Sequence, residues 1–204
     1  MNLFRADLHI HTLLSPCGSL DMSPANIIET AKIKGLDIIG IADHNSTQHG
    51  KLIHKLAKQN GILALCGAEV TTREEVHCLA FFENFENLDL FQQYLWEHLV
   101  KIKNVPEKFG YQPVIDENEN IVEMLDALLI QPLTESIEFV EAKVHSLDGI
   151  FIPAHINRPM NGILSQLGFI PAGLNCDALE ISRHVSKEDF LKQNPGLKIG
   201  RAHV

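Results

Sequence analysis

The sequence lacks several features that mark whole classes of protein. No window reaches about 18 consecutive apolar residues, and residues 1–7 form no signal peptide. It contains no internal repeat, no low-complexity segment and no flexible linker. Basic residues are also few: 17 Lys and Arg against 26 Asp and Glu give a net charge of −9. This charge argues against broad binding to nucleic acid or anionic membrane, and we expect a soluble cytoplasmic protein.

Cysteine is scarce, whereas histidine is abundant. The four cysteines form no CxxC pair, so reduced thiols are expected, with at most one acting as a metal ligand. The chain has 11 histidines in 204 residues, and histidine is the commonest metal ligand among side chains. A chain of this length is expected to form a single domain, which we assign to residues 1–198.

Short β-branched apolar runs alternate with helical patterns along the chain. This alternation predicts an α/β layout with parallel pairing that could close into a barrel. Ser23 and Pro24 are typical of a helix start, and Gly35 of a helix end. The run at 76–82 could pair antiparallel to the preceding strand, and residues 106–120 are interpreted as a polar excursion. Strands are predicted at 3–10, 36–42, 62–68, 76–82, 149–153 and 178–181, and helices at 24–34, 47–59, 88–103, 121–128, 134–145 and 162–167.

Metal-ligand residue types recur at the ends of the predicted strands. His9 and His11 are two positions apart, so on a strand both rings share a face and can reach one ion. Barrels and open α/β sheets build their sites at the carboxyl ends of strands. Taken singly, each residue has another interpretation, such as a solvated acid or a core histidine. Their recurrence at successive strands nevertheless predicts a metal cluster, with the candidates His9, His11, Asp43, His44, Glu69, His77 and His155.

Further residues are candidates for supporting roles. Asp43 could orient a metal-binding imidazole, or it could be an acid favoured by the dipole of the next helix. Arg158 and Arg183 could contact phosphate through their planar donor forks, or could equally be surface residues. The remaining histidines lack strand-end positions and are interpreted as ordinary surface or helix residues: His49, His54, His98, His145 and His184.

The motifs together resemble the PHP (polymerase and histidinol phosphatase) superfamily. They are Asp-Leu-His-Ile-His-Thr at 7–12, Ala-Asp-His at 42–44, Gly-Ala-Glu at 67–69, His77, and Ala-His at 154–155. The resemblance implies a distorted (β/α)7 barrel with two or three divalent ions (Zn, Mn or Fe) on its carboxyl-end face. It also implies that metal-activated water attacks a phosphorus centre, with Glu69, Asp43 and Arg158 as the residues closest to catalysis.

The resemblance also implies which residues bind each ion. Cys17 stands in the place of a further histidine of the family, and thiolate is a good ligand for Zn or Fe. A buried structural thiol is the alternative for Cys17. By the resemblance, His9 and His11 bind the first metal, Glu69 bridges to a second that His77 and His155 complete, and Cys17 and His44 bind the third.

The C-terminal residues depart from the family pattern. The family normally ends with a Ser-Asp-Ala-His-like motif, but here Arg201 occupies the position of the aspartate, and a guanidinium cannot ligate a cation. The last six residues, Ile-Gly-Arg-Ala-His-Val, match one reading frame of a common sequencing adapter. We therefore hypothesise that residues 199–204 are a non-native tail and that the last barrel element is missing.

Phosphate esters are the expected substrates: small phosphomonoesters, nucleotides or oligonucleotide ends. The expected partner is thus a small phosphorylated molecule, with no membrane and no stable nucleic-acid complex. Two alternatives remain open. The chain could be a catalytically impaired metal-binding regulatory or accessory module, as the missing aspartate suggests if the terminus is real. It could also be a metallohydrolase that acts on a non-phosphate substrate.

Overall fold

The computed structural model describes residues 3–195, and its first helix begins and ends as the local sequence predicts. In helix α1 (Pro24–Lys34), the Ser23 side chain caps the amino terminus by accepting a hydrogen bond from the backbone N–H of Asn26. Gly35 ends the helix in the left-handed conformation, with φ of 63°. The other helices are α2 (Gly50–Gln59), α3 (Phe85–His98), α4 (Pro106–Phe109), α5 (Ile137–Ser146), α6 (Ile163–Gln166) and α7 (Lys187–Gln193).

The strands form one main sheet and a separate hairpin. The main sheet has the order β1-β2-β3-β4-β7, and the hairpin pairs β5 with β6. The first three strands of the main sheet are parallel, while β4 runs antiparallel to both β3 and β7, so the predicted antiparallel pairing is confirmed. The strands are β1 (Ala6–Ile10), β2 (Ile38–His44), β3 (Leu63–Thr71), β4 (His77–Phe82), β5 (Pro113–Ile115), β6 (Ile121–Met124) and β7 (Ile150–Pro153).

The mixed α/β layout is confirmed, with the main sheet curled into a half-barrel. Closure into a seven-stranded barrel stays a prediction, since the sheet has five strands within residues 3–195. The suspected non-native tail and the missing last element concern residues beyond 195, which lie outside the described part of the chain. No helix among the described residues is long and apolar enough to cross a membrane.

The predicted helix at 121–128 is wrong. Residues 121–124 form β6, which pairs antiparallel with β5. The intervening turn explains the difference, because the Asp116 carboxylate accepts hydrogen bonds from the backbone N–H groups of Asn118 and Asn120. Glu119 then takes a positive φ of 62°, which closes the hairpin. The predicted polar excursion at 106–120 therefore contains a short helix and the first strand of this hairpin.

The predicted strand at 178–181 is also absent, although residues 177–180 are hydrogen-bonded to β7. The backbone N–H of Asp177 donates to the Phe151 carbonyl over 3.0 Å, and that of Glu180 donates to the Pro153 carbonyl over 3.1 Å. The segment between these two bonds is irregular. The sequence prediction also missed helix α7, whose amino terminus is capped by Ser186 accepting from the backbone N–H of Asp189.

Side-chain alternation in the strands separates two environments. On β4, Cys78, Ala80 and Phe82 belong to the large core that packs against helices α3 and α5. Leu79 and Phe81 point to the opposite face, where they cluster with apolar residues of β2 and β7. Because side chains alternate along a strand, residues with the parity of Leu79 line this inner face. The inner face thereby forms an apolar floor next to the carboxyl ends of the parallel strands.

Candidate metal centre

The carboxyl ends of the strands bring the predicted ligands together. His44 ends β2 and lies in register opposite Glu69 on β3. Glu69 in turn pairs with Leu79 on β4, so its side chain is on the inner face. The neighbouring strands deliver the other candidates: His9 on β1, His11 just after it, His77 at the start of β4 and His155 just after β7.

Glu69 is the centre of this cluster. Its side chain is 2% exposed, and five imidazole nitrogens lie 2.9–3.3 Å from its carboxylate oxygens. Oxygen Oε1 lies 3.1 Å from His9 Nε2, 2.9 Å from His77 Nδ1 and 3.1 Å from His155 Nε2. Oxygen Oε2 lies 3.3 Å from His11 Nε2 and 3.2 Å from His44 Nδ1.

The five imidazoles form a closed ring around Glu69. Neighbouring ring centroids lie 4.7–5.8 Å apart in the order His9, His11, His44, His77, His155 and back to His9.

Hydrogen bonds alone cannot satisfy this arrangement. A carboxylate offers about four lone-pair sites, fewer than the five nitrogens that face Glu69. Two of the buried nitrogens, His44 Nδ1 and His155 Nδ1, have no hydrogen-bond partner among the described residues. Buried polar atoms without partners are costly, and imidazole with carboxylate is a donor set that suits divalent transition metals. The residues therefore fit a metal centre.

Two contacts orient imidazoles for such a role. His9 Nδ1 lies 3.1 and 3.0 Å from the two oxygens of Glu180, and His11 Nδ1 lies 3.2 Å from the Ser15 hydroxyl oxygen. When Nδ1 donates in each contact, Nε2, the nitrogen that faces Glu69, is the one that can bind a cation. Sequence reasoning missed Glu180. Its position within the predicted strand at 178–181 is the available signal, since Glu69 and the ring histidines are also on or just after predicted strands.

The electrostatics of the ring keep Glu69 ionised. Burial alone would raise the pKa of Glu69, but hydrogen bonds from the surrounding imidazoles hold that pKa well below its usual range. Burial would lower the pKa of His9, yet its bonds to Glu180 and Glu69 outweigh burial and raise the pKa to about 10. For His44, burial dominates and lowers the pKa to about 3, so this imidazole is neutral, the form that ligates metals.

Ligand atoms within 4.8 Å of one another form three groups among the described residues. The group of His9, His11 and Glu69 matches the ligands expected for the first metal. In a second group His44 accompanies Glu69 and His77, where the resemblance implied His155. Cys17 is exposed, so the buried-thiol alternative is wrong, and Cys17 joins a third group. The groups are His9, His11 and Glu69; His44, Glu69 and His77; and His11, Cys17 and His44.

Asp43 is buried beside the ring and, among the described residues, is hydrogen-bonded to Thr12 and Ser15, not to an imidazole. It accepts hydrogen bonds from the backbone N–H and hydroxyl of Thr12 at 2.7 and 2.8 Å, and from the Ser15 hydroxyl at 2.7 Å. Its link to an imidazole therefore runs through Ser15 to His11. Arg158 and Arg183 are both exposed, which agrees with the surface alternative and leaves a phosphate contact open.

One histidine was misjudged. His49 was interpreted as an ordinary surface or helix residue, but it is only 1% exposed and hydrogen-bonded through both ring nitrogens. Burial also lowers the pKa of His49. The other four histidines are partly or fully exposed, in agreement with the prediction.

A family model for the PHP domain matches residues 7–135 of the chain. The chain belongs to the PHP domain family. The matched part of this PHP domain contains four of the five imidazoles of the ring and Glu69, whereas His155 and Glu180 lie beyond it. An uncharacterized protein of Methanocaldococcus jannaschii is 37% identical over 78 residues, which cover 34% of this chain and 46% of that protein.

Solved structures share the fold of this PHP domain. A lesion-specific endonuclease from Pyrococcus furiosus superposes with a TM-score of 0.65 at 19% identity, over 90% of this chain and 43% of that one. A protein described as a metal-dependent phosphoesterase, from Bifidobacterium adolescentis, gives a TM-score of 0.56 at 19% identity, over 96% and 76%. The chain thus spans less than half the length of the curated relative and of the endonuclease.

The segment of the PHP domain that carries Glu180 is fastened by a histidine outside the ring. His145 on α5 lies between two carboxylates, with Nδ1 2.6 Å from Glu141 and Nε2 2.9 Å from Asp177. Asp177 also accepts a hydrogen bond from the backbone N–H of Phe151 on β7. The bond to Asp177 raises the pKa of His145 and outweighs the effect of burial, and Glu141 raises it further.

Replacing His145 by glutamine is expected to destabilise the protein by about 1 kcal/mol at pH 6 and by less at pH 9. The pKa of His145 is raised on folding, so the stabilisation is complete below the unfolded pKa and is lost as pH rises through the folded pKa. Urea unfolding of both proteins across this range measures the difference. Asp177→Asn should show the same trend, and a pH-independent difference would contradict the prediction.

Proposed function

We propose that the chain is a metal-dependent phosphoesterase acting on small phosphomonoesters, nucleotides or oligonucleotide ends. The observation that carries this proposal is the buried Glu69 carboxylate with five imidazole nitrogens within 3.3 Å. Membership in the PHP domain family supports a hydrolase, and the solved structures that share the fold include an endonuclease and a protein described as a metal-dependent phosphoesterase.

The two oxygens of Glu69 support a bridging role. Oε1 faces His9, His77 and His155, whereas Oε2 faces His11 and His44, so the carboxylate lies between two sets of imidazoles. We assign the cations to these sets, with Cys17 available to the set that contains His11 and His44. Bound divalent cations would supply Lewis acidity, which makes water more acidic and neutralises charge on phosphoryl oxygens.

The remaining side chains hold and orient the ligands. Glu180 accepts a hydrogen bond from His9 Nδ1, and Ser15 accepts one from His11 Nδ1. The Ser15 hydroxyl in turn donates to Asp43, which holds it in this orientation. Arg158 is proposed to bind a phosphate oxygen with its planar donor fork. It follows His155 by three positions and lines a surface cavity of about 310 Å³ together with Asn157.

Replacing His77, the ring histidine on β4, tests the proposal. We expect His77→Ala to lower kcat/KM for the best phosphate ester by about 100-fold, because it removes a nitrogen 2.9 Å from Glu69. Phosphate release with Mn²⁺ or Zn²⁺ would be measured on p-nitrophenyl phosphate, nucleoside monophosphates and 5′-phosphorylated oligonucleotides. His98→Ala is the matched control, since His98 is partly exposed on α3 and contacts Thr134 instead of the ring.

The same panel separates the alternatives. Turnover that requires both the metal and His77 would support the phosphoesterase. Bound metal without turnover on any phosphate ester would favour the regulatory or accessory module. Amide substrates added to the panel test the remaining alternative, and turnover confined to them would overturn the choice of phosphate esters.

A further inference from the structure

We infer that His49 is a positioning residue for the metal centre, linking the β5–β6 hairpin to His11 through a chain of buried hydrogen bonds. This inference rests on the proposed metal centre. It assigns a function to a histidine that is neither on a strand nor among the imidazoles that contact Glu69, and it does not depend on which substrate is hydrolysed.

The chain of bonds begins at the hairpin. The backbone N–H of Ile115 on β5 donates to His49 Nε2 over 3.1 Å. A backbone N–H can only donate, so Nε2 is the nitrogen without hydrogen and the imidazole carries its proton on Nδ1. That nitrogen lies 2.8 Å from the hydroxyl oxygen of Thr12, to which it donates. The hairpin thereby selects one tautomer of His49.

The bond from His49 fixes the direction in which the Thr12 hydroxyl donates. Its hydroxyl oxygen accepts from His49 and from the backbone N–H of Leu14, so both lone pairs are used. Its single hydrogen is then directed to Asp43 Oδ2 over 2.8 Å. The other oxygen, Oδ1, accepts from the Thr12 N–H and from the Ser15 hydroxyl, each over 2.7 Å.

Ser15 completes the chain at the ring. Since its only hydroxyl hydrogen goes to Asp43, its oxygen must accept in its other contacts. One is the backbone N–H of His44 at 3.1 Å and the other is His11 Nδ1 at 3.2 Å. His11 therefore carries a hydrogen on Nδ1, which leaves Nε2, 3.3 Å from Glu69 Oε2, as the ring nitrogen that can bind a cation. Each hydroxyl hydrogen along this path therefore has one acceptor, and each bond has a fixed direction.

The side chains between the hairpin and His11 that form these hydrogen bonds are buried. Thr12 and Ser15 are 0% exposed, while Asp43 and His49 are 1% exposed. Water therefore does not replace a bond that is lost, and an unsatisfied buried group would have to turn or stay unpaired. Changes at His49 should therefore reach His11, although the two side chains do not share a hydrogen bond.

Three substitutions at His49 separate the effect of its hydrogen bonds from the effect of its side-chain volume. His49→Phe removes both polar contacts at similar volume. His49→Asn can place an amide near Nδ1 and keep the donation to Thr12, whereas His49→Gln reaches the position of Nε2 and can keep only the contact with Ile115. We expect Co²⁺ affinity to fall about tenfold in the Phe and Gln variants and to recover in the Asn variant. Titration of the whole metal-free chain with Co²⁺, followed by visible absorption, measures this.

Long-range ¹H–¹⁵N spectra of the unmutated, metal-free protein give a second readout that needs no variant. The inference predicts the Nδ1–H tautomer for His49, and an Nε2–H tautomer at His49 would overturn it. Equal Co²⁺ affinity in all four proteins would also overturn it, as would Asn and Gln variants that weaken binding equally. Failure of the unmutated chain to bind Co²⁺ would overturn both this inference and the metal centre. If the ordering of affinities holds while no phosphate ester is hydrolysed, the proposed substrate class fails and the positioning role stands.

Discussion

Replacing Glu69 by glutamine is expected to lower metal-dependent hydrolysis by about 1,000-fold, beyond the 10- to 100-fold typical of residues that only support a ligand. Glutamine has nearly the same shape but no charge, and its amide nitrogen would face imidazole nitrogens in place of a second carboxylate oxygen. The five imidazoles would then lose their common counter-charge. Steady-state hydrolysis and metal content by mass spectrometry should fall together.

Glu141→Gln is the matched control for this change. Glu141 is also a buried glutamate bonded to a histidine, but its partner is His145, outside the ring. It should keep the metal content and the activity of the unmutated protein. Retention of full metal content and turnover in Glu69→Gln would show that Glu69 does not bridge the cations.

Removing the metal is expected to lower the melting temperature by about 8–16 °C. A ligand present at about 1,000 times its Kd stabilises a protein by about 4 kcal/mol, and about 1 kcal/mol corresponds to 2–4 °C for a chain of this size. The physical reason lies in the ring, where five imidazole nitrogens face one carboxylate and a bound cation would give them a shared partner in the folded state only. Thermal unfolding with and without a chelator, followed by addition of Zn²⁺ or Mn²⁺, measures the effect.

Two variants show whether this stabilisation belongs to the ring. In His44→Ala the difference between chelated and metal-loaded protein should shrink, because His44 belongs to two of the three ligand groups. In His98→Ala the difference should equal that of the unmutated chain. A melting temperature that stays constant after proven loss of metal would contradict the expected stabilisation.

The sequence predicted features whose causes are local. The Ser23 cap and the Gly35 end of helix α1 depend on residues within one helical turn, and both are as predicted. The ring histidines were found because each lies on or just after a strand, and parallel strands end at one edge of a sheet. Their assignment to individual cations stays a prediction.

The features that the sequence did not predict depend on distant contacts. Glu180 contacts His9 across 171 positions and belongs to an irregular segment, so no periodic pattern marks it. His49 accepts a hydrogen bond from Ile115, which is 66 positions further along in a hairpin whose second strand was predicted to be a helix. Once that hairpin was missed, nothing in the local sequence distinguished His49 from the exposed histidines.

The strands of the main sheet lie side by side in the order of the chain, and this order affects how the centre is made during synthesis. The ribosome releases the chain from its amino terminus, so the residues of the early strands are made before those of the later ones. All three ligand groups are complete in sequence once His77 has emerged, whereas β7 and Glu180 follow more than 70 residues later. We therefore expect a nascent chain that has passed His77 to hold every residue of these groups before the strand and the carboxylate that complete the ring are made.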